Sequence, residues 1–198
     1  MQRFLLFALL AALQALPATA AETTAFVNVN VVPMAAEVVI EQQTVVVRNG
    51  TIAAVGPVDE VPIPEDAIVV DGTDRYLMPG LAEMHAHVPD ADSPEIGRYF
   101  NLYVANGVTM IRGMLGRPSH INLRESLEQG KVFGPRLVTS GPSVNGRSVE
   151  SAEQARRMVR EQHAAGYDFI KVHPGPTREE FEAVAETANA LGMPFAGH

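Results

Sequence analysis

The 198-residue sequence contains no cysteine. Neither a disulfide framework nor a thiolate metal site is therefore available, and any bound metal must be held by nitrogen and oxygen ligands. Positive charge is also scarce: 15 Lys and Arg stand against 23 Asp and Glu, a formal net charge of -8. No basic stripe occurs along the chain, which excludes a phosphate-backbone binder, because displacing counterions needs clustered cations. Long apolar runs are missing too. Phe4 to Leu16 is the one extended stretch, 13 residues, against the roughly 20 that span a bilayer.

That stretch follows a short positive start, Met1-Gln2-Arg3, and leads through Pro17 to Ala18-Thr19-Ala20. A charged opening, an apolar centre and an Ala-x-Ala end make residues 1–20 a signal peptide, so the sequence predicts secretion or a periplasmic location, with no stable membrane anchor after cleavage. With 46% apolar and 19% charged residues, the remainder reads as globular.

Residues 22–77 read as a small β-rich domain, mostly antiparallel. Its clearest signal is Asn49-Gly50 between β-branched runs, the dipeptide of a tight hairpin. From residue 78 to 198 the rhythm changes to strand, loop, helix at about 30 residues per unit, the size of a βα repeat. Strands are expected near Gly80–His87, Val108–Arg112, Arg136–Ser140, Phe169–His173 and Pro194–His198. Ser93-Pro94 predicts a capped helix start, and Ser151 to Gln154 and Thr177 to Glu180 each fit a capping box. The second box precedes an apolar stripe of Phe181, Val184, Ala185, Ala188 and Leu191.

Such alternation suits an open doubly wound sheet or an incomplete barrel. His85-Ala86-His87 stands where an open sheet would place a glycine-rich phosphate loop, and polar residues gather at the C-terminal strand ends, where barrels place their chemistry. The expected fold is α/β: a partial (β/α)8 TIM-type barrel preceded by a small β-sandwich-like domain, the chain stopping after about five barrel strands.

His85 and His87 are one residue apart at the end of an apolar segment, so in a strand both imidazoles share a face and suit a Zn²⁺-like ion. Lys171 lies in Phe169-Ile170-Lys171-Val172, which reads as a buried parallel strand where an unpaired lysine is almost never tolerated. It is either a strand-end lysine reaching water or a carboxylate, or one held at a metal centre. His198 ends the next strand. His173, two positions after Lys171, and Arg112, at the end of the second strand, are candidates for contacting substrate. Tyr103, His120 and His163 are assigned to packing or surface.

Pro79-Gly80-Leu81-Ala82-Glu83-Met84-His85-Ala86-His87 resembles the first-strand signature of the amidohydrolase superfamily. Residues 105–112, 134–137 and 165–171 resemble later segments of its imidazolonepropionase-like branch of metal-dependent hydrolases. The similarity runs from about residue 24 to the end.

The resemblance implies a metal-dependent hydrolase of carbon–nitrogen bonds, in an amide, cyclic amide or dipeptide-like small molecule, acting through a metal-activated hydroxide. It implies two divalent ions, in the usual case zinc. His85 and His87 would bind the more buried ion, Lys171 carboxylated by CO₂ would bridge the two, and His198 would bind the second. The family's sixth-strand histidine and catalytic aspartate would fall beyond residue 198, so no catalytic residue is expected within these residues, and the chain is expected to be a fragment with little activity alone. Two rivals stay open, a mononuclear deaminase-like site and a non-catalytic metal-binding barrel; homo-oligomerisation is left open as well.

Overall fold

The computed structural model describes residues 23–198; the expected signal segment, residues 1–20, lies outside the described residues. Among the described residues no helix is long and apolar enough to cross a membrane. The chain divides into two compact units between Pro79 and Gly80.

In the first unit five strands form one mixed sheet: β1 (Thr23–Val31), β2 (Ile40–Arg48), β3 (Thr51–Pro57), β4 (Ile68–Asp71) and β5 (Tyr76–Leu77). Their order is β3-β2-β1-β4, with β5 also paired to β1. The β1/β2 and β2/β3 pairs are antiparallel, whereas β4 and β5 join β1 in parallel. The described strands of the expected sandwich-like unit thus make a single sheet. Asn49 and Gly50 turn the hairpin between β2 and β3 with φ of 51° and 73°, both positive as a type I′ turn requires. Ala25, Val29, Val45 and Val46 are its buried apolar side chains.

The second unit alternates strand and helix without exception: β6 (Leu81–Ala86), α1 (Ile96–Ala105), β7 (Val108–Gly113), α2 (His120–Glu128), β8 (Arg136–Thr139), α3 (Ala152–Ala165), β9 (Ile170–Val172), α4 (Arg178–Ala190) and β10 (Phe195–Gly197). β6, β7 and β8 pair in parallel in chain order, as do β9 and β10. Parallel bridges Ser140↔Phe169 and Val144↔Val172 carry the series from β8 to β9. Five parallel strands in chain order, each followed by a helix up to the fifth, are a partial (β/α)8 barrel.

Two apolar clusters lie between strands and helices. One joins Ala86, Val88, Ile111 and Leu137 to Phe100 of α1 and Leu123 of α2. The other joins Ile170 and Val172 to Ala155 and Val159 of α3 and to Ala183, Val184 and Ala188 of α4. Gly80 is needed where β6 begins, because a Cβ there would collide with the Thr109 side chain.

Three local expectations are corrected. α1 begins only at Ile96, with Glu95 as its cap and no side-chain cap bond; the Ser93 hydroxyl accepts from the Glu95 N–H at 3.4 Å within a preceding turn closed by the Ile96 N–H on the Ser93 carbonyl. Thr177 and Glu180 do form a full capping box, but at Ser151 only half forms, because the Gln154 side chain accepts from Glu150 N instead. The buried face of α4 is Glu180, Ala183, Val184, Thr187 and Ala188. It is rotated from the expected stripe, and Phe181 and Leu191 stay 42% and 36% exposed.

Phe100 has no exposed surface, and removing a buried aromatic leaves a cavity that its surroundings only partly refill. Phe100→Ala is expected to lower the unfolding free energy by about 3–5 kcal/mol in urea titration; a loss under about 1 kcal/mol would mean that α1 does not anchor this sheet.

Candidate metal centre

The strand ends carry the chemistry. Val144 N–H donates to the Lys171 carbonyl and His173 N–H to the Val144 carbonyl, both at 2.8 Å, so the β8–α3 connection clamps the end of β9. β10 lies alongside in register, Ala196 beside Lys171 and Gly197 beside Val172, which leaves His198 adjacent to His173. Curvature of the series brings the first strand to the fifth: the rings of His85 and His198 are 5.3 Å apart although 112 residues lie between them in the sequence. His85 and His87 lie 5.5 Å apart, and His173 and His198 4.6 Å.

Lys171 is wholly buried. Its Nζ lies 2.8 Å from Nδ1 of His198, and it takes part in no carboxylate ion pair among the described residues. Of the two sequence readings for this residue, the lysine that reaches water or a carboxylate is therefore not what the structure shows. Burial, and next the Arg112 cation, pull its pKa below the ordinary lysine value. The Lys171 cation, then desolvation, lowers that of His198. Desolvation, then Lys171, lowers that of His85. The shifts on His85 and His198 favour the neutral imidazole, the form that binds metals.

Among the described residues no group of three His, Asp or Glu side chains is arranged to hold a metal ion as it stands. The donor set nevertheless fits one. Two imidazoles on a tetrahedral ion with metal–nitrogen bonds of about 2.0–2.1 Å place their ring centres roughly 5 Å apart, the spacing that His85 keeps from both His87 and His198.

His173 joins this cluster through His198. Arg112 is otherwise engaged: its Nε donates to the Met84 carbonyl at 2.9 Å, and its guanidinium lies 5.7 Å from the Phe169 ring centre. A cleft of about 570 Å³ opens beside His173 and His198, with Phe181 and Phe195 in its wall.

No protein-family model matches the chain, and no curated protein matches it in sequence. Solved structures do. A Bifidobacterium longum protein provisionally designated a prolidase is 26% identical, with a TM-score of 0.75 over 89% of this chain and 49% of its own. A bottromycin amidohydrolase is 25% identical, with a TM-score of 0.73 over 89% of this chain and 38% of its own. The fold is that of the amidohydrolase superfamily. A Xaa-Pro dipeptidase solved with methionine in its active site has a TM-score of 0.76 at 19% identity, over 89% of this chain and 56% of its own. The chain thus spans between 38% and 56% of the length of these neighbours.

Two polar pins hold the loop after the histidine pair. Buried His120 has Nε2 2.9 Å from the Pro89 carbonyl, and Asp90 accepts from the Ser119 hydroxyl at 2.6 Å and from Arg117 at 2.8 Å. No motif in the sequence marks Asp90, and only its place three residues after His87 hints at it. The Ser119 bond is the main cause of its lowered carboxyl pKa.

A carboxyl with a depressed folded-state pKa stabilises above the ordinary value of 3.8 and loses that contribution as pH falls through the folded value. Asp90→Asn should therefore lower Tm at pH 7, and the difference from wild type should shrink as the pH approaches about 2; a pH-independent difference would contradict the pin. Lys171→Met should leave the unfolding free energy unchanged or raise it by up to about 4 kcal/mol, since an apolar side chain replaces a buried amine that has no carboxylate partner among the described residues. A loss of about 3–5 kcal/mol would mark the lysine as a structural ion partner instead.

Proposed function

We propose that this chain forms part of the catalytic barrel of a hydrolase that cleaves carbon–nitrogen bonds in small molecules, with two divalent ions held at the strand ends. One observation carries the reading: a fully buried lysine amine, paired with no carboxylate, lies against one imidazole of a cluster of four histidines drawn from three strands.

His85 and His87 would hold one ion and His198 the other, and Lys171, as the carbamate formed with CO₂, would bridge them. Carboxylation converts an expensive buried cation into an anionic oxygen donor, which two adjacent dications need. The ions, zinc in the simplest case, would supply Lewis acidity toward the carbonyl and toward a water. Within the chain, the depressed pKa values keep His85 and His198 ready to bind metal without first losing a proton. The cleft beside His173 and His198, with Phe181 and Phe195 in its wall, would seat an apolar side chain next to the reacting carbonyl. This favours dipeptides and N-acyl amino acids. Three of the similar structures are described as a prolidase or a Xaa-Pro dipeptidase, so Xaa-Pro dipeptides head the panel. The segment at residues 1–20 would export the enzyme to scavenge such compounds outside the cytoplasm.

The test combines elemental analysis with a hydrolysis panel on the protein expressed from its complete reading frame. About two ions per chain and release of amino acids from at least one dipeptide or N-acyl amino acid are expected, with loss of about 10²-fold or more in kcat/KM for His85→Ala or Lys171→Ala. One ion per chain would favour the deaminase-like site, and metal binding with no turnover across the panel would favour a non-catalytic barrel.

A further inference from the structure

The register of β6 against β7 is not uniform. Glu83 pairs with Ile111 and Ala86 with Gly113, so three steps along β6 are matched by two along β7. One extra residue is accommodated at Met84–His85, a β-bulge. Its position matters because side chains alternate, and one added residue sends everything after it to the other face.

Glu83 shares the face of its partner Ile111, the face packed against α1 and α2. In an unbroken strand residues 85 and 87 would follow Glu83 onto that face, into the apolar layer under the helices. With the extra residue, Ala86 and Val88 take those places instead, each 2% exposed among Phe100, Ile111, Leu123 and Leu137. His85 and His87 are turned to the opposite side, where the His85 ring meets His198.

A bulge strips two backbone groups of their ladder partners, and here each is satisfied by a side chain. The His85 N–H donates to Glu83 Oε1 at 2.7 Å, and the Met84 carbonyl accepts from Arg112 Nε at 2.9 Å. The Phe169 ring, 5.7 Å from the guanidinium, backs Arg112 in that pose.

We infer that Glu83 and Arg112 are positioning residues that lock the bulge and so decide that His85 and His87 face the metal-binding side of the sheet. The inference rests on the proposed function only for the metal it serves; the lock itself is a property of the protein alone. Arg112, on this account, acts on the histidines through the Met84 carbonyl and is not a substrate ligand.

Two measurements test it. In metal-free protein, amide hydrogen exchange at His85 should quicken about tenfold or more in Glu83→Ala and Arg112→Met, and stay within about threefold of wild type in Glu83→Gln, which keeps the acceptor oxygen. Zinc affinity, read by competition with a chromogenic chelator, should fall about 10- to 100-fold in Glu83→Ala and Arg112→Met and recover in Glu83→Gln. Should Glu83→Ala fail to fold, Arg112→Met carries both measurements.

Unchanged exchange and unchanged zinc affinity in Arg112→Met, with only KM raised, would make Arg112 a substrate contact and overturn the inference. Wild-type protein that binds no zinc would overturn the proposed function instead, while exchange at His85 still decides the lock.

Discussion

The amine of Lys171 is wholly buried, with a ring nitrogen of His198 beside it and no carboxylate ion pair among the described residues, and burying an ammonium without a counter-charge costs several kcal/mol in real proteins. Its surroundings respond by favouring the neutral form, through burial and through the charge of Arg112. The charge of Lys171, then desolvation, lowers the proton affinity of His198, and desolvation, then the charge of Lys171, lowers that of His85. An apolar side chain in this place would suit the fold alone better, so the lysine is a local conflict of the kind that functional sites carry. Nitrogen donors from β6, β9 and β10 thus stand at one rim.

Getting the imidazoles to that rim depends on backbone detail as much as on side-chain type. A parallel strand covered by helices commits alternate residues to an apolar layer, and β6 must satisfy that demand with Ala86 and Val88 while turning His85 and His87 the other way. The extra residue at Met84–His85 reconciles the two demands. Val144, bonded on both sides to β9, sets the height of Lys171 and His173 in the same manner. Rigid strand termini, held by side-chain and loop contacts, are how a barrel keeps a site in place while its loops vary.

Much of this was legible in the residues. The five barrel strands lie within one or two residues of where their apolar runs and flanking glycines put them, and Asn49-Gly50 turns its hairpin as the dipeptide requires. In the sequence, His85, His87 and His198 stand out as polar residues at the ends of apolar strands, and Lys171 as a lysine inside one. The bulge does not, since one extra residue leaves no mark in a sequence pattern and shows only as a shift in pairing. Helix α2 was missed for a related reason: it buries only His120 and Leu123, too few to give a period. The rotated face of α4 shows the limit of apolar patterning, for Glu180 and Thr187 lie on the buried side while Phe181 and Leu191 do not. A strand-end arginine suggests a substrate contact, and the bond of Arg112 to the Met84 carbonyl is visible only in three dimensions.

The most direct test of the central claim is anomalous diffraction at the zinc edge from crystals of the zinc-loaded protein. The account predicts a peak about 2.0–2.1 Å from imidazole nitrogens of His85 and His87, and a second ion about 3.5–4 Å away beside His198, with Lys171 between them. Zinc bound elsewhere, or Lys171 turned away from the histidines, would contradict it.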